Sequence, residues 1–316
     1  MDFAPEMLEY ANLIVSKGLK GFTEGTVQER RDGYSAIGDL LGPGPDLKEV
    51  FEVSIPVLNG NICIKNYIPK TKPRSKILYF HGGGWVVGRL RDFDPFARKL
   101  SEGTSSIVSL VDYRLAPEFP FPIPLEDSYS ASLWIDSQKE GIWKDLPLIV
   151  AGDSAGGNLA ASTIQRAKEE GPKIDLQILI YPVTQALCNT DAYKEFELGP
   201  GLTKKDMKWF ISQYLPEQNT RSTWKASPLY FKDWEGLPPA IIFTANIDPL
   251  RDDGKLYAEK LKNSGISVLF KEFQGYTHGF FTKVNLLKAP DEGIRIISEE
   301  MGRILSVKQK EAAVQE

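Results

Sequence analysis

The chain has 316 residues, of which 42% are hydrophobic and 25% charged, and its formal net charge is -4. This size and composition are typical of a globular protein with one large α/β domain and a smaller accessory part, and they exclude a disordered or fibrous chain. The acidic charge, with both signs interspersed, provides no basic face, so no nucleic-acid partner is expected.

Two amphipathic helices are predicted between about residues 5 and 45. Pro5 suits a first helical turn, and Thr26 and Glu29 have the spacing of a capping box that would open the second helix. The Gly-Pro cluster at 42–45 would end it. The opening residues lack the basic and apolar regions of a signal peptide, so a cytoplasmic location is expected.

From Val50 to Ile68 the pattern changes to an alternation of β-branched and apolar residues, interrupted by the hairpin signal Asn59-Gly60. Short apolar runs predict further strands at 77–80, 107–111, 148–151, 176–181, 240–245 and 268–273. Helical stretches at about 127–138, 155–170 and 252–263 separate several of them. This alternation predicts an α/β fold with a mostly parallel central sheet that is flanked by helices on both faces.

The alternation stops between about residues 185 and 228, where a helical segment rich in aromatic residues begins near Thr203. Ligands of open α/β sheets bind at the carboxyl edge of the strands, so an insertion at this point would cover the site. The predicted division is into N-terminal cap helices (1–45), a first part of the core (46–184), a cap insertion (185–228) and a second part of the core (229–316).

The segment from Gly152 to Gly156 has the pattern G-x-S-x-G and joins the predicted strand 148–151 to the predicted helix 155–170. A sharp turn between a strand and a helix would lift the hydroxyl of Ser154 out of the sheet. The five residues alone are a weak signal. Their position between a strand and a helix makes Ser154 the candidate nucleophile.

A glycine-rich loop, His81 to Gly84, follows the predicted strand 77–80. It lacks the Gly-Lys-Ser/Thr ending of a P-loop, and Val87 stands where a dinucleotide loop needs its third glycine. Glycines allow the main chain to approach a substrate closely. The amides of Gly83, Gly84 and Ala155 are therefore the candidate donors of an oxyanion hole.

His81 and His278 are the only histidines in the sequence. Because His81 belongs to the glycine-rich loop, the candidate general base for a serine nucleophile is His278, which follows the last predicted strand.

Asp248 follows the predicted strand 240–245 and gives the chain order serine, aspartate, histidine that α/β-hydrolase sheets use. Its carboxylate would fix the tautomer of the imidazole. Asp252 and Asp253 are rivals for this role, and they fit better as acidic residues in the first turn of the following helix.

Two groups of residues near these motifs are predicted to be structural. Asp153 and Arg114 are expected to form ion pairs beside the site. The aromatic residues are candidates for a pocket lining and fit ordinary core positions better: Trp85, Trp209, Phe210 and Tyr214.

Five ordered motifs resemble those of the hormone-sensitive-lipase-like branch of α/β-hydrolase esterases, over nearly the whole chain. They are HGGGW at 81–85, DYRLAPE at 112–118, GDSAGGN at 152–158, DPLRD at 248–252 and HGF at 278–280. The resemblance implies an α/β-hydrolase fold with a helical cap, and a carboxylesterase for short to medium acyl esters. It implies Ser154 as nucleophile, His278 as base and acid, Asp248 as its orienting partner, the oxyanion donors already named, and a structural role for His81.

No cofactor and no metal are expected, since two cysteines and two histidines are too few for a thiolate or imidazole site. No apolar run reaches about 18 residues, which excludes a membrane-spanning helix, so no membrane partner is expected. The expected partner is a small-molecule ester. The last strand, near Val268 to Phe273, would leave an edge open for pairing in a homodimer.

Two other functions are compatible with such a scaffold. A non-catalytic small-ligand receptor is one, because plant gibberellin receptors resemble this family and lack the histidine base; the presence of His278 argues against it. An amidase, deacetylase or lactonase with the same triad is the other. An alcohol leaves more readily than an amine, which favours an esterase. Asn246 stands where many relatives carry an acidic residue, so the polarity of the pocket stays open.

Overall fold

A computed structural model describes residues 2–18 and 25–315, with 307–315 described by their backbone alone. Residues 1, 19–24 and 316, which belong to the first and last predicted segments, lie outside the described residues. The strands are β1 Glu49–Val57, β2 Gly60–Ile68, β3 Lys76–Phe80, β4 Ile107–Asp112, β5 Leu148–Asp153, β6 Leu176–Ile180, β7 Ala240–Ile247 and β8 Val268–Thr277.

The α-helices of the described chain include short and long elements on both sides of the sheet. They are α1 Pro5–Ser16, α2 Val27–Asp39, α3 Leu90–Thr104, α4 Ile123–Ser137, α5 Ala155–Glu170, α6 Asp191–Glu195, α7 Lys204–Tyr214, α8 Arg251–Asn263 and α9 Ala289–Gln315. Among them, none combines the length and the apolar character that a membrane crossing requires.

The strands form one sheet in the order β1-β2-β4-β3-β5-β6-β7-β8. Strand β2 is antiparallel to both of its neighbours, and the pairs from β4 to β8 are all parallel. Parallel strands need crossover connections, which the helices provide. The predicted α/β-hydrolase fold with a mostly parallel sheet is confirmed.

Both faces of the sheet are covered, which explains why its central strands are continuous apolar runs. In β3, Leu78 and Phe80 belong to one hydrophobic cluster, whereas Ile77 and Tyr79 belong to the other. The first cluster includes buried side chains of α4, α5 and α8, and the second includes those of α3 and α9. The two helical layers therefore hold the sheet rigid between them.

The capping signal is found where it was predicted, and the hairpin turn lies one residue earlier than predicted. Thr26 and Glu29 form the capping box of α2, and the turn at Leu58-Asn59 joins β1 to β2, with Val57 paired to Gly60. Two long helices, α3 and α9, were absent from the predicted elements. In α3 the internal Pro95 masks a stripe of Phe93, Phe96 and Leu100 that has helical spacing.

The carboxyl ends of four parallel strands meet at one edge of the sheet, where the predicted site residues lie. The glycine-rich loop follows β3, Ser154 follows β5, Asp248 follows β7 and His278 follows β8. Because these strands are parallel and rigidly covered, four segments that are distant in sequence reach a single place.

Candidate active site

Ser154 lies on a strained turn between β5 and α5, with φ 55° and ψ -119°. Its amide donates a hydrogen bond to the carbonyl of Ile180 at 2.9 Å, and its carbonyl accepts from the amides of Asn158 and Val183. A non-glycine residue at positive φ costs free energy that the surrounding structure must offset. These bonds hold the elbow in the conformation that points its hydroxyl away from the sheet.

The glycines of this turn are required by close backbone packing. A Cβ at Gly156 would overlap the carbonyl oxygens of Phe80 and His81, and one at Gly152 would overlap the carbonyl of Gly156. The elbow therefore packs directly against the end of β3, which carries the glycine-rich loop.

Ser154, His278 and Asp248 are joined by two hydrogen bonds. Nδ1 of His278 lies 2.7 Å from Oδ2 of Asp248, and Nε2 lies 2.8 Å from Oγ of Ser154. A carboxylate can only accept, so Nδ1 carries the proton and Nε2 is free to accept from the serine hydroxyl. Asp248 is fully buried, and its Oδ1 accepts from the amide of Leu250 at 2.8 Å. This is the arrangement that turns a serine hydroxyl into a nucleophile.

The imidazole of His278 packs on the ring of Tyr181, with centroids 4.6 Å apart. Tyr181 is buried at φ 34°, and burial raises the pKa of its phenol well above the ordinary value. The phenol is therefore neutral, so it supports the imidazole by packing and adds no charge beside it.

Three backbone amides near Ser154 lack an acceptor among the described residues: those of Gly83, Gly84 and Ala155. The amide of Ala155 opens α5, where helix geometry leaves the first N–H groups unpaired and the dipole favours negative charge. Gly83 and Gly84 have φ 116° and 60°, and they line the same cavity as Ser154. These amides are the donors that an oxyanion at this position would need.

The glycine-rich loop is held in place by a buried carboxylate and by a neutral imidazole. Oδ1 of Asp153 accepts from the amide of Gly82 at 2.8 Å and from the hydroxyl of Tyr79 at 2.9 Å. His81 is fully buried, its Nδ1 lies 2.7 Å from the carbonyl of Gly82, and its ring stacks on Tyr113. Burial lowers the pKa of His81 to about 4, so it is uncharged at neutral pH and is unsuited to act as a second base.

A cavity of about 640 Å³ opens beside Ser154 and His278. Its far wall consists mainly of apolar side chains from α1, α2 and α7 and the segment before α7. They include Met7, Ala11, Ile14, Ile37, Leu202, Met207 and Phe210. This volume and lining fit a small, largely apolar molecule.

The N-terminal helices are fastened to the core by a few polar contacts. Arg31 of α2 donates to the carbonyls of Val86 at 2.9 Å and Ala116 at 3.1 Å, and it pairs with Glu118 at 2.6 Å. At the start of α1, the amide of Ala4 donates to the carbonyl of Gly275 at 3.0 Å. Thus α2 is linked to the residue that follows the HGGGW segment, and α1 to the end of β8.

Comparison with known proteins agrees with this fold. A family model described as alpha/beta hydrolase fold matches residues 77–282. The chain is 40% identical over 260 residues to carboxylesterase NlhH of Mycobacterium tuberculosis, which covers 80% of this chain and 75% of the relative. It is 37% identical over 254 residues to carboxylic ester hydrolase LipN of the same organism, with 77% and 68% covered.

A solved structure, the hyperthermophilic esterase of the archaeon Pyrobaculum calidifontis, superposes with a TM-score of 0.88 at 32% identity, covering 96% of this chain and 99% of that one. The chain belongs to the hormone-sensitive-lipase-like family of α/β-hydrolase esterases. By class it is a carboxylic ester hydrolase.

In this esterase the rivals of Asp248 have other partners. Asp252 and Asp253 lie in the first turn of α8, as predicted. Asp253 is buried and accepts from the amides of Thr184 and Gln185, and burial raises its pKa to about 7. It ties α8 to the start of the predicted cap insertion.

The predictions for the neighbouring charged residues had different outcomes. Arg114 forms an ion pair with Asp127 at 2.6 Å, as expected. Asp153 has no ion pair among the residues that the structure describes, and binds the glycine-rich loop instead. Asn246 takes a structural role, because its Oδ1 accepts from the amide of Gly275 at 2.7 Å.

The aromatic residues divide between core and cavity. Trp85 is fully buried and stacks on Tyr214 with centroids 4.5 Å apart, so both belong to the core. Phe210 lines the cavity of the esterase, and Trp209 lies under the guanidinium of Arg30 at 3.6 Å. Sequence reasoning missed two polar residues of this region: Arg31, because its partners are distant in sequence, and Lys283, because no sequence pattern places it in the cavity.

Proposed function

We propose that the protein hydrolyses carboxylic esters of short to medium acyl chains through a Ser154-His278-Asp248 triad and an acyl-enzyme intermediate. The observation that carries the proposal is the pair of hydrogen bonds from His278 to Ser154 and to Asp248, at 2.8 and 2.7 Å. Family membership supports the reaction class, and the geometry supports the assignment of roles.

In the first half of the reaction Oγ of Ser154 attacks the ester carbonyl while Nε2 of His278 takes its proton. The negative charge that develops on the carbonyl oxygen is stabilised by the amides of Gly83, Gly84 and Ala155. His278 then donates the proton to the leaving alkoxide, and the alcohol departs. Asp248 keeps the imidazole in its tautomer and stabilises its charged form.

In the second half a water molecule enters, His278 removes its proton, and the hydroxide attacks the acyl-enzyme. The tetrahedral intermediate uses the same three amides, and its collapse returns the proton from His278 to Ser154. Both halves need only the side chains and amides of this chain, so the proposal includes no metal and no organic cofactor.

The proposed limit on acyl length comes from the size and enclosure of the cavity. A volume of about 640 Å³ must hold both the acyl and the alcohol parts of the ester. We further propose that segments 1–45 and 185–228 act together as the cap, because Met7 and Ile14 from the first and Met207 and Phe210 from the second form the apolar wall.

The homodimer stays a prediction. Strand β8 is the last in the sheet order, so one of its edges is available for pairing with a second copy. Analytical ultracentrifugation of the purified protein tests this, and a strict monomer across micromolar concentrations would contradict it.

The function is tested by initial rates on p-nitrophenyl esters from acetate to palmitate, with Ser154→Ala measured alongside. The expected result is a maximum at short or medium chains that disappears in the variant. Ser162→Ala, a change at a buried serine of α5 outside the cavity, is the matched control and should keep the profile. Turnover that survives in Ser154→Ala would overturn the assignment of the nucleophile, and a folded protein inactive on every ester would overturn the esterase proposal.

A further inference from the structure

Among the residues that the structure describes, four charged side chains line the cavity that opens beside Ser154, and three of them have defined partners: Glu29, Arg30 and Asp153. Glu29 accepts from the amide of Thr26 at 2.7 Å, and Arg30 stacks on Trp209 and donates to the carbonyl of Gly25. Asp153 holds the glycine-rich loop. The fourth residue is Lys283, which follows His278 by five positions along the chain.

No described residue accepts a hydrogen bond from Nζ of Lys283 or forms an ion pair with it. Its only assigned contact is the ring of Tyr34, with Nζ 5.3 Å from the centroid. Asp153 and Asp92 act on it electrostatically, and neither forms an ion pair with it. The Oδ2 atom of Asp92 accepts hydrogen bonds from Ser35 and from the amide of Arg89 instead.

The ammonium of Lys283 has N–H groups that no described residue accepts. It carries three N–H groups, and a partly buried charge is stable only when hydrogen-bond acceptors or opposite charges surround it. The cavity that Lys283 lines is largely apolar, and Ser154, the proposed nucleophile, lines the same cavity. An acceptor brought by the substrate would complete the surroundings of Lys283.

We propose that Lys283 binds a second oxygen of the substrate, a carbonyl or carboxylate beyond the scissile ester, so that the preferred substrates are esters of oxo acids, of dicarboxylic acids or of oxo alcohols. This inference rests on the proposed function, because it needs an ester held at Ser154. Lys283 is then the residue that distinguishes these esters from plain alkyl esters of the same length.

The test compares pairs of esters that differ in the second oxygen and are similar in shape. On the acyl side these are ethyl levulinate and monoethyl succinate against ethyl valerate. On the alcohol side the pair is acetonyl acetate against isobutyl acetate. The quantity measured by pH-stat titration is the ratio of kcat/KM within each pair, which cancels the fraction of active enzyme in a preparation.

Lys283→Met is expected to lower the ratio for at least one pair about tenfold or more, the value of one hydrogen bond from a charged donor. The intrinsic reactivity of each ester cancels when the ratio in Lys283→Met is divided by the ratio in the wild type. The pair whose ratio changes shows whether Lys283 binds the acyl or the alcohol side of the ester. Lys283→Arg should keep part of the preference. Lys288→Met, at an exposed lysine of the same segment outside the cavity, should leave every ratio unchanged.

The pH dependence of the kcat/KM ratio in the wild-type enzyme tests the same role without a substitution. Burial lowers the pKa of Lys283 to about 8, so the ammonium loses its proton in mildly alkaline solution. The groups that act on it are Asp153 from β5, Asp92 from α3 and the ring of Tyr34 from α2, and the other charged groups of the cavity are Glu29 and Arg30 from α2. The pKa of Asp153 is about 6 and that of Tyr34 is well above its ordinary value, so neither titrates there. In the wild type, the ratio of kcat/KM for the affected pair should fall between about pH 7 and 9. In Lys283→Met the same ratio should not change with pH.

Ratios that stay within twofold in Lys283→Met for all pairs, together with a flat pH profile in the wild type, would overturn the role of Lys283. In that case hydrolysis would still depend on Ser154, so the proposed function would stand. Ser154-independent hydrolysis would instead remove the proposed function itself.

Discussion

The two walls of the cavity are built in different ways. On the core wall, Ser154, His278 and the glycine-rich loop follow parallel strands and are fixed by backbone hydrogen bonds and buried partners. On the cap wall, α1 and α2 present mainly apolar side chains and reach the core through a few contacts such as those of Arg31. From the proposed function we expect changes on the first wall to impair the reaction, and changes on the second to alter which ester is accepted.

The largest effect is expected at the core wall. Ser154→Ala and His278→Ala should each lower kcat by about 10⁴-fold to 10⁶-fold, and the double variant should be no slower than the slower single one, because residues that act as a unit are not additive. Kinetics on p-nitrophenyl butyrate measure this. Losses that multiply in the double variant would show that the two side chains act independently.

The second prediction addresses the point where the walls touch. A Cβ at Gly84 would overlap the ring of Phe210, and Gly84 has φ 60°. Gly84→Ala should therefore displace an oxyanion donor and lower kcat by about 10²-fold. Adding Phe210→Ala should restore part of the loss, because it removes the overlap.

Gly42→Ala is the matched control for this experiment, since Gly42 has φ 65° and nothing lies within 4 Å of an added Cβ. It introduces similar backbone strain far from an oxyanion donor and should leave kcat unchanged. If Gly84→Ala were as harmless as Gly42→Ala, the contact between the walls would not matter to the reaction.

A smaller effect is expected where the cap is fastened. Arg31→Met removes the bonds of α2 to Val86 and Ala116, and it should lower kcat/KM about tenfold, the value of roughly one charged hydrogen bond. Steady-state kinetics test this against Arg303→Met, which breaks an exposed pair with Glu300 on α9. Equal kinetics in the two variants would mean that the cap holds its position without Arg31.

The smallest effect concerns stability and its pH dependence. Burial raises the pKa of Asp153 from 3.8 to about 6, so the folded protein binds this proton more tightly than the unfolded chain. The unfolding free energy therefore contains a contribution that is present at acidic pH and is lost as the pH rises from about 4 to 6. It amounts to about 3 kcal/mol at most.

Asp153→Asn keeps Oδ1 as an acceptor and removes this titration. Its unfolding free energy relative to the wild type should rise between pH 4 and pH 7, as measured by urea denaturation at both values. Asp145→Asn, at an exposed position, is the control and should show no such change. A constant difference between Asp153→Asn and the wild type would contradict the assigned pKa.

Local patterns predicted the fold because the central strands are short apolar runs bounded by turn residues, and because β1 and β2 alternate around a hairpin signal. They also located the candidate triad, since Ser154, Asp248 and His278 each follow a strand and parallel strands end at one edge. The helix α9 was not predicted, although Ile294, Ile297 and Met301 have helical spacing. A search for this period over the last residues would have found it.

The remaining features depend on contacts that no local pattern encodes. Asp153 was predicted to form an ion pair. Instead it accepts a hydrogen bond from the amide of Gly82, which lies 71 positions away along the chain. Arg31 reaches Val86 across 55 positions. Lys283 is unusual only through what surrounds it. Such roles follow from how the layers pack, and they become visible only in three dimensions.

In the proposed triad, Ser154 precedes His278 by 124 residues, and Asp248 precedes His278 by 30. During synthesis the serine elbow can therefore form while the strand that carries His278 is still missing. Until β8 docks beside β7, the proposed nucleophile lacks the imidazole that would take its proton. Under the proposed mechanism, we therefore expect a chain that lacks β8 to be unable to hydrolyse esters.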